Sequence, residues 1–415
     1  MTGQLSQAVS SLKIRNFRLY FIGQTVSVSG NWMQQIALAW LVLKLTNSPF
    51  ALGITTALQS VPFLLIGPWA GLIADRFSKR KLLIGSQFVQ IFPPLLLFFL
   101  TERGEITVWM VYVLVACRGL VNTLDNPTRQ SFVGEMVGDA RIVNAVSLNA
   151  SITQAGRLIG PAIASLVIAT AGLSVCFLLN SLTFVVMGVM LLAMKADQLR
   201  PTTRAPGGKG QLRAALTVVN RDTRLRVPLL AMAVVGLLSF NFMVVLPAVA
   251  RFTFHGTATT YALMMNLLAV GALAGALITG VRTHVTPRLV AITSVAFGAT
   301  LALAAAANNL AEALIVMAGV GATSVMFSAS VQACLQLASP PNMRGRIIAL
   351  YQLVYQGTTP LGALAVGALA EAVGARSGFV LGAVGAGATG GYALWATRSS
   401  RTAKLETALP IEEPL

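Results

Sequence analysis

Acidic side chains are scarce in this chain: 13 Asp and Glu stand against 30 Lys and Arg in 415 residues, and the four charged types together make up only 10%. With 55% of residues hydrophobic, the chain carries more apolar surface than one soluble core can bury. Cysteine is nearly absent, and Cys117, Cys176 and Cys334 fit neither a zinc set nor a redox pair, so a disulfide framework and a metal centre are excluded. No phosphate-binding glycine loop and no nucleophile–base motif occurs. No polar stretch exceeds roughly 35 residues, short of the ~50 of a small domain. An enzyme and an ATP-driven machine are therefore not expected, and no cofactor is implied.

What the chain does have is long apolar runs. A helix crossing a bilayer needs about 20 mostly apolar residues, because the hydrocarbon layer is roughly 30 Å thick. Twelve such stretches fit, among them Val108 to Leu124, Val143 to Thr170 and Val227 to Ala250. The expectation is an all-α membrane protein of twelve transmembrane helices in two six-helix bundles with pseudo-two-fold symmetry. Residues 1–194 form the first bundle, 195–226 a basic linker, 227–398 the second bundle and 399–415 a tail. Of the 30 basic residues, 24 fall in the tail, the linker and alternate loops; four fall in the other loops, and Arg118 and Arg157 fall inside helices. This bias places both termini in the cytoplasm of a plasma membrane, the inner one in a bacterium. The net charge of +17 is thus explained by lipid, and nucleic acid is not expected as a partner. No removable signal peptide is read at the start.

Segments recur in order at an offset near 200 residues. Ser29-Gly-Asn31-Trp-Met33 returns as Ser239-Phe-Asn241-Phe-Met243, Ala70-Gly71 as Ala274-Gly275, and Gln130 as Gln332. An internal duplication is the economical explanation, and it is a common construction in transporters.

After the second span the chain reads Gly71-Leu-Ile-Ala-Asp75-Arg76-Phe-Ser-Lys79-Arg80-Lys81. Gly71 allows close helix contact, and Asp75 can satisfy a helix N-terminus or basic neighbours. In the fourth span Arg118, Asn122 and Asp125 lie at i, i+4 and i+7, on one face. The fifth carries Gly156-Arg157-Leu-Ile-Gly160-Pro161, in which the proline removes a backbone hydrogen bond.

These motifs resemble the major facilitator superfamily. The Asp75 loop is similar to its signature loop, with Ser78 and Lys79 where the family has glycine and arginine. The Gly156–Pro161 segment looks like its antiporter motif, without the closing glycine pair. With the opening run Arg15 to Tyr20 and the segment Asp125 to Gln130, they look like the branch of siderophore exporters and macrolide efflux proteins. The resemblance implies a gating relay of Gly71, Asp75, Arg76, Lys79, Arg80 and Asp125, in which Asp75, Lys79 and Asp125 interact between helices. It implies that Gly156, Gly160 and Pro161 make a pliable helix.

None of the 13 acids is expected at the bilayer midplane, whereas Arg118 and Arg157 are intramembrane cations without a carboxylate at their depth. They must face the bundle interior, either to bind an anionic substrate or to brace backbone carbonyls. Polar stripes on several helices point to a central cavity containing Asn31, Gln35, Arg118, Asn122, Arg157, Asn241, Ser328 and Gln356. The function expected is a secondary transporter that works as a monomer, draws on an ion gradient, with protons as the coupling ion, and exports a drug, siderophore or other mid-sized amphipathic compound. An uptake permease and a non-transporting membrane sensor are the alternatives.

Overall fold

The computed structural model describes residues 10–138, 141–200, 211–280, 285–341 and 343–406; within the helices, side chains 68, 71, 72, 74, 75, 211–214 and 397–406 lie outside the description. The first half consists of α1 (Arg15–Thr46), α2 (Pro49–Arg76), α3 (Lys79–Glu102), α4 (Val108–Val137), α5 (Ile142–Ala171) and α6 (Leu173–Leu192). In the second half are α7 (Thr223–Thr253), α8 (Ala258–Gly280), α9 (Pro287–Ala306), α10 (Leu310–Ala338), α11 (Arg344–Val373) and α12 (Ser377–Glu406).

Among the described residues, eleven of these helices are long and apolar enough to cross a membrane, and only α1 falls short. Its 32 residues are ample in length, but Gln24, Ser27, Ser29, Asn31, Gln34 and Gln35 dilute its hydropathy. That polarity is tolerated because α1 is wrapped by α5 and α6.

Local chemistry sets the helix boundaries. Asn47 adopts a left-handed conformation (φ 52°) and closes α1 by donating its N–H to the Leu43 carbonyl. Ser48 then caps α2 by accepting from the Ala51 N–H, with Pro49 at the first helical position. Thr286 and Pro287 repeat this arrangement at the start of α9.

The two halves pack alike. α1 contacts α5 and α6, α2 contacts α4, and α3 contacts α6; correspondingly α7 contacts α11 and α12, α8 contacts α10, and α9 contacts α12. The bundles meet through two reciprocal pairs, α2 with α11 and α5 with α8. Small residues allow the closest approaches. A Cβ on Gly321 of α10 would lie 1.9 Å from the Leu268 carbonyl oxygen of α8, and one on Gly119 of α4 would lie 2.7 Å from the Gln59 carbonyl oxygen of α2.

Three spans differ from the sequence reading, the first being α12, which runs on to Glu406 into the segment read as a tail from 399. α4 does not end at Leu124 but continues through Pro127 to Val137. At about 1.5 Å per residue its 30 residues extend roughly 45 Å, beyond the hydrocarbon layer. Arg129 and Glu135, read as loop residues, are therefore helical and buried. α7 is not one regular helix: it breaks at Ser239–Asn241, resumes over Phe242–Ala248 and ends in a π-helical turn, Val249–Thr253. Within the linker, Gln211–Arg221 forms a helix with Ala215 and Val219 buried, and it packs on α11 and α7.

Candidate functional site

The end of the bundles where α1 begins and α12 finishes is here the terminal side, and the opposite end the far side. Midway between them, α1 threads between two arginines. Arg118 of α4, 5% exposed, donates from Nη2 to Asn31 Oδ1 of α1 at 2.7 Å. Its Nε and Nη1 are buried without a hydrogen-bond partner among the described residues. Arg157 of α5 places its guanidinium 5.4 Å from the ring centre of Trp32 on α1, a cation–π contact, and its Nε is also buried and unpartnered. One turn beyond Asn31, Gln35 of α1 and Gln59 of α2 exchange amide hydrogen bonds of 2.9 and 3.1 Å.

Gln59 also lines a cavity of about 160 Å³ between the bundles, with Ser60 and Phe63 of α2, Asn122 and Asn126 of α4, and Gln356 and Thr359 of α11. Of the residues expected to form a central cavity, Asn122 and Gln356 line it directly, while Asn31, Gln35 and Arg118 stand behind its first-bundle wall. Two do not join it. Asn241 sits in the α7 break, 4% exposed, its amide donating to the Leu237 carbonyl, and packs against Gly362 of α11. Ser328 turns its hydroxyl back to the Val325 carbonyl at 3.2 Å, the usual retreat of a serine in a helix.

Toward the terminal side lies a buried charge cluster. Asp125 of α4 accepts from Ser86 Oγ and, at 3.1 Å, from Gln87 Nε2, both on α3. It pairs with Arg129, one turn on in its own helix, and Arg129 in turn donates to Gln24 of α1. This arrangement ties three helices around one ion pair, and both charged members are hydrogen-bonded as a buried charge requires, while Gln87 Oε1 has no partner among the described residues. A second buried ion pair, Lys79 with Glu135, joins the start of α3 to the end of α4.

The expected relay is corrected here: Lys79 pairs with Glu135 rather than Asp125, because α4 runs on for three turns past Asp125 and carries Glu135 to the rim. Arg80 donates to the Leu191 and Leu192 carbonyls, satisfying the open end of α6. Arg76 is exposed. Gly71 and Asp75 lie outside the described side chains, so their part in the relay has no geometry. The expected helix-bending residues act in packing: a Cβ on Gly156 would lie 2.4 Å from a Val28 methyl, and one on Gly160 would lie 2.4 Å from the Trp32 Cβ. α5 stays helical through Pro161, and α1 rests against it.

The far side is closed. Glu371 at the end of α11 accepts from Ser48 Oγ at 2.5 Å and from the Phe50 N–H at 3.0 Å, capping α2 across the bundle interface. Arg251 of α7 donates to Asn47 Oδ1 at 3.1 Å and lies over Trp40 of α1. Beneath these links the packing is dry: Ile36, Leu38, Leu41 and Leu43 of α1 and Val244, Leu246 and Val249 of α7 are buried in one apolar cluster. On the terminal side, by contrast, Gln352 and Gln356 of α11 and Thr153 and Gln154 of α5 are exposed.

Sequence reasoning missed Ser86, Gln87, Glu135 and Glu371 as interacting groups, and Arg129 as an internal charge. Only the Asp125–Arg129 spacing of four carried a readable signal. Among the described residues, no group of three or more His, Cys, Asp and Glu is placed to hold a metal ion.

The comparisons with known proteins agree on one class. Solved structures of similar fold include the nucleoside transporter NupG, with TM-score 0.75 and 12% identity, covering 92% of this chain and 99% of that one. A bacterial homologue of ferroportin in an inward-facing state gives 0.72 at 16% identity, over 92% and 98%. The staphyloferrin A transporter of Staphylococcus aureus is 24% identical over 372 residues, 86% of this chain and 90% of that protein. Macrolide efflux protein A of Streptococcus pyogenes is 21% identical over 379 residues, 89% and 94%. These relatives are bacterial transporters rather than enzymes. Residues 6–390 match the family described as transmembrane secretion effector, and the chain therefore belongs to that family of major facilitator transporters, a multi-pass membrane protein that moves small molecules.

Proposed function

We propose that this transporter is a proton-coupled exporter that works by alternating access, with its terminal side in the cytoplasm of the bacterial inner membrane. It acts as a monomer, and an ion gradient rather than ATP drives it. The observation that carries this reading is the asymmetry of the bundle interface. Glu371, Arg251 and the dry packing of α1 on α7 seal the far side, while the polar cavity between α2, α4 and α11 lies toward exposed polar residues on the terminal side. A state closed on one side only, in a molecule whose halves pack alike, has a natural counterpart in which the bundles rock and the closure changes ends.

Export is favoured by the efflux roles named for macrolide efflux protein A and the multidrug efflux pump Tap of Mycolicibacterium fortuitum, 24% identical over 85% of this chain. Coupling is assigned to Asp125, a buried carboxylate where three helices meet. Its charge is balanced by Arg129 and by donors from α3, so protonation would free Arg129 and loosen α1, α3 and α4 together. The test is accumulation of a labelled macrolide and a labelled siderophore in inverted membrane vesicles, with and without a pH gradient. Gradient-driven accumulation that Asp125→Asn abolishes supports the reading. Accumulation without a gradient, or undiminished in Asp125→Asn, contradicts coupling through this residue.

A further inference from the structure

The interface between the bundles has two chemically different walls. On the first-bundle wall stand Asn122 and Gln59, with Arg118 one turn farther from the terminal side on the same face of α4 as Asn122. Arg118 is 5% exposed, yet two of its three guanidinium nitrogens have no hydrogen-bond partner, and its one bond goes to the neutral Asn31. A buried guanidinium held this way has no counter-ion among the described residues. Arg157, on the other flank of α1, lies over the face of Trp32, and its Nε has no hydrogen-bond partner among the described residues. The carboxylates nearest along α4 are committed elsewhere, Asp125 to Arg129 and Glu135 to Lys79.

On the second bundle Gln356 and Thr359 line the cavity, and an aromatic group stands beside them toward the terminal side. Tyr351, Tyr355 and Thr359 follow one another at intervals of four on one face of α11, and Thr359 lines the cavity. Tyr351 and Tyr355 stack at 6.3 Å, and Tyr355 meets Phe240, in the α7 break, edge-on at 5.8 Å. Tyr355 is 38% exposed, so part of its ring is free to meet a ligand.

Resting on the transport reading above, we propose that the cavity selects an amphipathic anion, its carboxylate drawn to Arg118 on the first bundle and its apolar or aromatic body laid against Tyr355 and Phe240 on the second. The two walls are offset along the axis, Arg118 toward the far side and Tyr355 toward the terminal side. An anion arriving from the terminal side therefore passes the aromatic wall with its charged end leading and reaches the unpaired guanidinium last. Binding both walls at once bridges the bundles. Occupancy thereby reports to the interface that must rearrange for transport.

The experiment uses two xanthene dyes of related shape and opposite charge, carboxyfluorescein and rhodamine 6G, titrated onto the purified full-length protein and followed by fluorescence anisotropy. The anionic dye is expected to bind more than about tenfold tighter than the cationic one, since a charge-assisted hydrogen bond contributes at least that factor. Arg118→Gln should erase the preference; Arg118→Lys, which keeps the charge without the planar fork, should restore part of it. Tyr355→Leu should weaken both dyes by a similar factor. Equal affinities, a preference for the cation, or an undiminished preference in Arg118→Gln would each overturn the proposal. Accumulation in inverted vesicles separates the two levels: gradient-driven movement of the cationic dye alone leaves export standing and removes the anion-selective site, whereas movement of neither dye removes both.

Discussion

Glu371, at the end of α11, caps the N-terminus of α2 beside Ser48, so that one carboxylate closes a helix belonging to the other bundle. A helix N-terminus carries unsatisfied N–H groups and a partial positive charge, and a carboxylate at an exposed site such as this one contributes ~0.3–1 kcal/mol. Because the partners lie on opposite bundles, that energy stabilises one arrangement of the bundles rather than the fold of either. Glu371→Gln should therefore raise the far-open population by roughly two- to fivefold. The measurement is the labelling rate, by a membrane-impermeant maleimide, of a cysteine placed at Leu52, which is 2% exposed beneath this closure, in a background lacking Cys117, Cys176 and Cys334. Unchanged labelling would mean that packing alone holds the far side shut.

The Asp125–Arg129 pair should show strong coupling in a double-mutant cycle. Removing one partner of a buried ion pair leaves an uncompensated charge and costs ~3–5 kcal/mol, whereas removing both is far milder. Arg129→Gln is expected to lower the melting temperature of the purified protein markedly, and adding Asp125→Asn to recover much of the loss. Additive losses would show that the two side chains act separately.

Lys79 and Glu135 make the same kind of prediction in a different place. Glu135→Gln should destabilise the contact between the start of α3 and the end of α4, and Lys79→Gln/Glu135→Gln should be closer to the native protein than either single change. If Lys79→Gln is instead rescued by Asp125→Asn, the relay expected from the sequence holds and the pairing seen here does not.

Gly160 and Gly85 separate packing from helix propensity. Alanine at Gly160 puts a methyl 2.4 Å from the Trp32 Cβ, and overpacking of this kind costs ~1–3 kcal/mol. Nothing lies within 4 Å of a Cβ at Gly85 of α3, so alanine there should be neutral or slightly stabilising. Thermal unfolding of the two variants side by side decides the matter.

The spans were legible in the sequence because lipid enforces long apolar runs, and the placement of basic residues gave their alternation. α1 was legible as well, although its polar stripe keeps it below the apolar threshold that the other helices meet. The full reach of α4 was not: Asp125-Asn-Pro127 reads as the end of a helix, yet the helix continues past Pro127 and brings Arg129 and Glu135 into packed surroundings. Nor was the α7 break, which falls at Ser239–Asn241, where neither Gly nor Pro announces it. Arg118 and Asn122 were found from their common face, but the choice of Glu135 over Asp125 as the partner of Lys79, and of Ser48 as the partner of Glu371, depends on distances that only tertiary packing sets.

The central claim is that closure changes ends around one cavity. Spin labels at Leu45 and Val373, both exposed at the far side, and in a second protein at Arg76 and Arg344, exposed at the terminal side, report it through distance distributions in liposomes under an imposed pH gradient. The far pair should gain a longer-distance population as the terminal pair gains a shorter one, in matching proportion. Distances that stay fixed, or that lengthen or shorten together at both ends, would contradict alternating access.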